Sequence, residues 1–303
     1  MIFWEKQGLI YKPDSLSKWP THAVLPFIDR QDEKYFIYFG SRTRDNVTSS
    51  FRAEFDHKNN SIIAFSNSLV IEPGELGCFD QHGAISSSIV SVNKVKYLYY
   101  IGWTKGHEPP LFYANIGLAI SKDGGKTFTK VSKAPIIPRD NNNPILMTSP
   151  QVIYVDSIFY MSYISGVKWK RNNGVLQSYY RVCSAESKNG IDWYNTGNIL
   201  IDFQKGETNF ARPWIIYYKD RYHMWFSKAG NKKKYSIGYA SSKNLKDWIR
   251  DDTKNQLKRS EKGFDSEMQC YPSVTLIGEK FYLLYNGNRF GYDGICLATF
   301  PIN

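Results

Sequence analysis

Carboxylates are scarce in this chain: 28 Asp and Glu stand against 39 Lys and Arg, leaving a formal charge of +11 over 303 residues. A surplus of that size would draw anions, whether nucleic acid, an anionic glycan or a nucleotide-sugar phosphate. Lys232 to Lys234 stand together without interleaved aromatics and read as a solvated turn between strands, so nucleic acid is not expected as a partner. Cysteine is rare as well. Residues 78, 183, 270 and 296 show no close pairing and no metal spacing, which predicts reduced thiols and a cytoplasmic location. His22, His82, His107 and His223 lack ligand spacing, so neither a metal nor a cofactor is expected. No apolar run approaches the roughly 18–20 residues of a membrane span. Met1-Ile-Phe-Trp-Glu-Lys lacks the basic start and apolar centre of a signal peptide.

Aromatic residues are abundant, at 16% of the chain, and they are periodic. A Tyr-x-x-aromatic unit occurs as Tyr35-Phe-Ile-Tyr38, Tyr97-Leu-Tyr-Tyr100, Tyr160-Met-Ser-Tyr163, Tyr222-His-Met-Trp225 and Tyr282-Leu-Leu-Tyr285. The first tyrosines lie 62, 63, 62 and 60 residues apart, so the period describes the whole chain. Nine or ten residues earlier stands Pro26, Pro150, Pro213 or Pro272, with Ser86-Ser87-Ser88 in the second unit. A third run follows the tyrosine strand and ends in Ala119-Ile-Ser-Lys122, Ala185-Glu-Ser-Lys188 or Ala240-Ser-Ser-Lys243. Aromatic and β-branched runs broken by Asn, Asp, Gly and Ser are strands and turns. Each unit therefore reads as a four-stranded antiparallel sheet, and five such sheets around an axis make an all-β, five-bladed β-propeller. The uniform period predicts one domain over residues 1–303. The fifth unit stops at its third strand, Ile295-Cys-Leu-Ala-Thr-Phe300, whereas Trp4-Glu-Lys-Gln-Gly-Leu-Ile-Tyr11 resembles a missing fourth. The N-terminal strand is thus expected to close the last blade and remove an exposed edge.

The proline-led strand is innermost in this reading, and antiparallel pairing returns the next strand to the same face. Residues just before the first strand and just after the second then share one cleft. The first set contains His22, Asp80, His82, Asp140, Thr148, Glu207, Asn209, Arg212, Glu267, Gln269 and Tyr271; the second contains Arg42, Trp103, Lys105, Trp169, Lys228, Asn288 and Arg289. Asp80, Glu207 and Glu267 precede Ser87, Pro213 and Pro272 by seven, six and five residues. Converging carboxylates beside aromatic and amide groups suit glycosidic bond cleavage, with indole faces stacking on sugar rings. Gly287-Asn-Arg-Phe-Gly291 reads as a turn rather than a phosphate cradle, since no helix follows it.

The blade pattern resembles the five-bladed propeller glycoside hydrolases of families 32, 43, 68 and 130 and their relatives. Ser121-Lys-Asp-Gly-Gly-Lys-Thr-Phe128 looks like the Asp box of sialidase propellers. The resemblance implies Asp80 as nucleophile or base, Glu207 as modulator and Glu267 as general acid, with a carbohydrate as ligand. Those families often place Asp beside the blade's proline, where this chain has Ala211-Arg-Pro213 and Cys270-Tyr-Pro272. The first expectation is a glycosidase-like hydrolase or phosphorylase, the latter using Arg42, Lys105, Arg212 or Arg289 to hold phosphate. A glycosyltransferase-type role in polysaccharide assembly with a nucleotide sugar, and a non-catalytic carbohydrate-binding propeller, are the alternatives.

Overall fold

The structure is a computed structural model that describes residues 1–13, 21–230 and 233–302. Lys232 lies outside the described residues. Lys233 and Lys234 do not lie in a turn: they open a strand, because a hairpin there pairs Lys233 with Gly230.

Five antiparallel blades follow one another along the chain, the first continuous with the second and the third with the fourth. The first blade is Thr21–Gln31, Lys34–Arg42, Thr48–Asp56 and Ser61–Phe65. The second is Gly83–Val92, Val95–Lys105, Phe112–Ser121 and the short Thr129–Lys130. Met147–Val155, Ile158–Asn172, Val175–Ser187 and Tyr194–Ile201 form the third, and Glu207–Tyr218, Arg221–Gly230, Lys233–Ser242 and Ile249–Arg250 the fourth. The fifth consists of Cys270–Ile277, Lys280–Asn286, Ile295–Pro301 and, as its outer strand, the N-terminal Glu5–Tyr11. This is the five-bladed propeller closed by its N-terminal strand. Parallel bridges Thr48 to Gly83 and Tyr180 to Asn209 join neighbouring blades near the axis.

The repeated aromatic has a structural reason. In each second strand the distal residue of the unit, Tyr38, Tyr100, Tyr163, Trp225 or Tyr285, is buried between blades. Burying a phenol requires a partner for its hydroxyl. Tyr100 donates to Asp80 Oδ2 at 3.1 Å, Tyr163 to Asn143 Oδ1 at 2.8 Å and Tyr285 to Asp265 Oδ2 at 2.9 Å, each acceptor standing 20 residues before its tyrosine. The third strands end in a second repeated device. Ser121, Ser187 and Ser242 donate to Asp123, Asn189 and Asn244 at 2.7, 3.1 and 3.1 Å, and those side chains accept backbone N–H groups of the following turn. Hydrogen bonds from Ser121 and Thr127 hold the Asp123 carboxyl far below the usual carboxylate range.

Side chains cross the blade boundaries beside the axis. Ser88 bridges to Pro150 O and Val152 N, Gln151 to both N and O of Ile215, Trp214 Nε1 to Val274 O at 2.7 Å, and Ser273 to Pro26 O at 2.7 Å. These bonds satisfy polar groups that the ring closure buries.

Candidate functional site

Every inner strand carries a bulge, with register shifts between Val24 and Phe27, Ser86 and Ser88, Thr148 and Gln151, Ala211 and Trp214, and Cys270 and Ser273. In four of them the residue before the proline takes a left-handed backbone: Leu25 (φ 56°), Ser149 (φ 53°), Arg212 (φ 49°) and Tyr271 (φ 55°). Such a conformation costs a non-glycine residue about 1–2 kcal/mol and persists where the surroundings enforce it. A bulge re-aims a side chain, and in these four blades the effect is to turn one residue toward the axis.

A cavity of about 700 Å³ opens at that end of the propeller. That is within the usual range for small-molecule sites, roughly 300–1,000 Å³. Leu25, Ser149 and Tyr271 stand in its wall together with Arg42, Asn46, Trp103, Lys105, Phe112, Thr148, Tyr180 and Tyr235. Glycine at 83 makes room for the Trp103 indole, since a Cβ there would lie 2.2 Å from Nε1. No aspartate or glutamate is among the described lining residues.

The cavity is cationic. Arg42 donates to Asn46 Oδ1 at 3.4 Å, has no carboxylate partner among the described residues, and leaves Nε buried without a hydrogen bond. Burial lowers the pKa of its guanidinium, partly offset by the nearby Tyr271 phenol. Lys105 extends along the rim, with Nζ on Asp45 O at 2.7 Å. His22 lies close to Arg42, its ring edge-on to Tyr292 and its Nδ1 also buried without a partner. Burial, then Arg42 and Arg289, push its pKa down to about 4, so it is neutral at pH 7. Because the unfolded His22 titrates near 6.5, the unfolded state binds more protons between pH 6.5 and 4. Its stabilising contribution is complete above 6.5 and is lost as pH falls toward 4. His22→Gln should therefore flatten the acid limb of a stability-against-pH curve in that window; an unchanged curve would show that the ring is not held neutral.

The three sequence-predicted acids do not converge on this cavity. Asp80 is only 2% exposed and sits elsewhere, accepting from Tyr100 and from Lys130 Nζ at 2.6 Å. Its counterparts in the fold are Asn143 and Asp265, which accept from Tyr163 and Tyr285 in the same way, so its position is one of packing. Asp265 likewise meets a cation of its blade's outer strand, Lys6, at 2.5 Å. Burial raises the Asp265 pKa, but hydrogen bonds from Lys6, Ser260, Gln269 and Tyr285 outweigh it and leave the carboxyl below its ordinary range. Glu207 repeats this arrangement against the outer-strand Arg250, at 2.5 and 2.8 Å, and burial is again outweighed by that partner. Glu267 is largely exposed and ion-pairs with Lys234, its backbone N–H on Asn288 Oδ1 at 2.8 Å. Asp80→Ala should cost about 3 kcal/mol, because it strands a buried phenol and an ammonium. Asp80→Asn should cost less, as Asn143 already does the same work in the third blade, and neither change should alter ligand binding in the cavity. Thermal melts with a binding assay check both statements.

Of the other sequence candidates, Arg42, Trp103, Lys105 and Tyr271 line the cavity, as does Thr148. Trp169 packs edge-on against Phe112 and Tyr180, directly behind the wall. Arg212 is fully buried next to the lining residue Ala211. His82 accepts from the backbone of Lys105, and Arg289 pairs with Asp293 near the mouth. Asn209 bonds to Ser178, Gln269 to Asp265, and Lys228 to Asp252 at 2.7 Å, so these three serve the blades rather than the cleft. Asp140 likewise caps a loop through Asn142 and Asn143, and Asn288 holds the backbone of Glu267 and Met268. Asn46 lies in the hairpin after the second strand, and Phe112, Tyr180 and Tyr235 lie in third strands whose starting points shift with hairpin length, so the repeat does not point to them.

No protein-family model matches the chain. Over 300 residues it is 29% identical to an uncharacterised Mycobacterium tuberculosis protein, Rv1502, with 98% of each chain covered. A segment of 100 residues is 30% identical to a 1,2-beta-oligomannan phosphorylase of Thermoanaerobacter sp. strain X514, covering 33% of this chain and 31% of that one. Among solved structures, BT0996 in its complex with RGII superposes with a TM-score of 0.80 at 19% identity, over 98% of this chain and 92% of that one. A thermostable family-43 glycoside hydrolase gives 0.68 at 16% identity, over 95% and 91%. The fold is that of the propeller glycoside hydrolases, and the site within it is a cationic cavity whose described lining holds no acidic side chain.

Proposed function

We propose that this chain is a carbohydrate-active propeller that holds a glycosyl unit in the axial cavity against a bound phosphate, and that glycoside phosphorolysis is its activity. One observation carries the reading: Arg42 and Lys105 face a cavity with no lining carboxylate among the described residues. Hydrolysis by a carboxylate pair requires two acids about 5–9.5 Å apart across the scissile bond. Phosphorolysis brings its own nucleophile as an anion, and Arg42 presents the donors that suit it. Trp103, Phe112, Tyr235 and Tyr271 offer faces for a sugar ring. The segment shared with an oligomannan phosphorylase supports the same choice.

In this reaction the bond from the anomeric carbon to the bridging oxygen breaks, a bond to an oxygen of hydrogen phosphate forms, and the leaving oxygen takes the proton that the phosphate gives up, so that the products are a sugar 1-phosphate and a free hydroxyl. His22 is placed to respond: burial is the larger cause of its depressed pKa, and an anion beside Arg42 and Arg289 offsets the part that those two charges add. Phosphate binding should then be accompanied by proton uptake and should tighten as pH falls from 7 toward 5. Calorimetry in two buffers of different ionisation enthalpy reads that uptake directly; equal heats in both would remove His22 from the account.

A second reading, a carbohydrate-binding propeller without turnover, is favoured by the same lack of lining acids. One assay separates them. The protein is incubated with β-1,2-linked manno-oligosaccharides, with and without inorganic phosphate, and sugar 1-phosphate is measured. Phosphate-dependent product, lost in Arg42→Ala, supports phosphorolysis. Free reducing sugar formed equally without phosphate would overturn it, and binding without conversion would leave the second reading.

A further inference from the structure

Arg212 is placed unlike any other cation among the described residues. It is 0% exposed, yet no carboxylate pairs with it among the described residues. Its left-handed backbone in the fourth blade's bulge turns the side chain toward the second blade, where Nη1 donates to Ser87 Oγ at 3.3 Å. The guanidinium lies over the Trp214 ring at 4.8 Å and the Phe27 ring at 5.6 Å. Nε and Nη2 have no hydrogen-bond partner.

Those two nitrogens are neighbours on one edge of the guanidinium plane, so their N–H bonds converge on a single point, the arrangement that binds anions side-on. Burial pulls the pKa down to about 9, which leaves the group charged at neutral pH. Ring faces compensate a buried cation only in part, and an unpaired buried charge carries a desolvation cost of several kcal/mol. An anion small enough for that buried position would supply the missing charge and accept from both nitrogens. Ser86, adjacent to Ser87 and also 0% exposed, keeps a hydroxyl without a partner.

We propose that the propeller axis contains a structural site for a monatomic halide, held side-on by Nε and Nη2 of Arg212 between the second and fourth blades. The site is separate from the cavity, which Arg212 does not line. It acts as an ionic staple: the anion supplies the charge that the fold lacks and ties the fourth blade to its neighbours across the axis.

The probes are sodium chloride, sodium bromide and sodium gluconate at equal ionic strength. Chloride and bromide are expected to raise the Tm of the wild-type protein by roughly 3 °C over gluconate. Crystals grown in bromide should show an anomalous peak within hydrogen-bonding distance of both nitrogens. Arg212→Met, which keeps the packing and removes the charge, should abolish the halide increment. Arg212→Lys, which keeps the charge and removes the fork, should diminish it. The wild-type measurements decide the matter even if neither variant folds. Equal Tm in all three salts, or density at that edge without anomalous signal, would overturn the proposal.

Discussion

Removal of residues 1–12 is expected to unfold the protein or lower its Tm far beyond the effect of trimming a tail. Glu5–Tyr11 is the outer strand of the fifth blade, paired with Thr299, Ala298, Leu297, Cys296 and Ile295. Ahead of it, Ile2 and Phe3 run parallel to Asn255 and Gln256 after the fourth blade. Trp4 is 8% exposed, packs edge-on against Trp225 and Phe300, and donates to Asn255 Oδ1 at 2.8 Å. Lys6 neutralises the buried Asp265, whose other hydrogen-bond partners include Tyr285 and Gln269. Deletion would expose a sheet edge, empty an aromatic site and leave a buried carboxylate without its cation. Trp4→Ala alone should cost about 3–5 kcal/mol. Denaturant unfolding of the full chain, the deletion and Trp4→Ala measures the series. A deletion that melts within a degree or two of the full chain would show that the ring is closed by other means.

Arg42→Met should weaken phosphate binding by roughly 30- to 1,000-fold, the range expected when one partner of a buried charge-assisted contact is truncated. The side chain is positioned by the end of the first blade's second strand, lies beside Tyr271, and has a free Nε in the cavity wall. Folding should not suffer, because no buried carboxylate among the described residues depends on it, and the change removes the Arg42 repulsion that adds to burial in depressing His22. The His22 pKa should rise accordingly, which NMR titration of the imidazole detects. Unchanged phosphate affinity would place the anion at another cation and remove the cavity from the functional account.

The architecture was legible because burial repeats. An aromatic ring packed between blades, tyrosine in four and Trp225 in the fourth, recurs at each period, and the lone Trp4-to-Tyr11 stretch matches the strand that the fifth unit lacks. The site was legible only in part, for a reason visible in three residues. Aligning Asp80 with Glu207 and Glu267 by distance to the proline joined carboxylates that do different things. Counting 20 residues back from Tyr100, Tyr163 and Tyr285 finds Asp80, Asn143 and Asp265 instead, and an asparagine in that series signals a hydrogen-bond acceptor rather than an acid. The prolines that mark the register of the inner strands also flag the bulges that aim Leu25, Ser149, Arg212 and Tyr271 inward. Tyr180 and Tyr235 come from third strands, whose starting points depend on hairpin lengths that no repeat fixes.

The most direct test of the central claim is a crystal structure of the wild-type protein soaked with a sugar 1-phosphate. The phosphate is predicted on Arg42, with the sugar ring against Trp103 or Tyr271 inside the axial cavity. Ligand density among Asp80, Glu207 and Glu267, with the axial cavity empty, would contradict it.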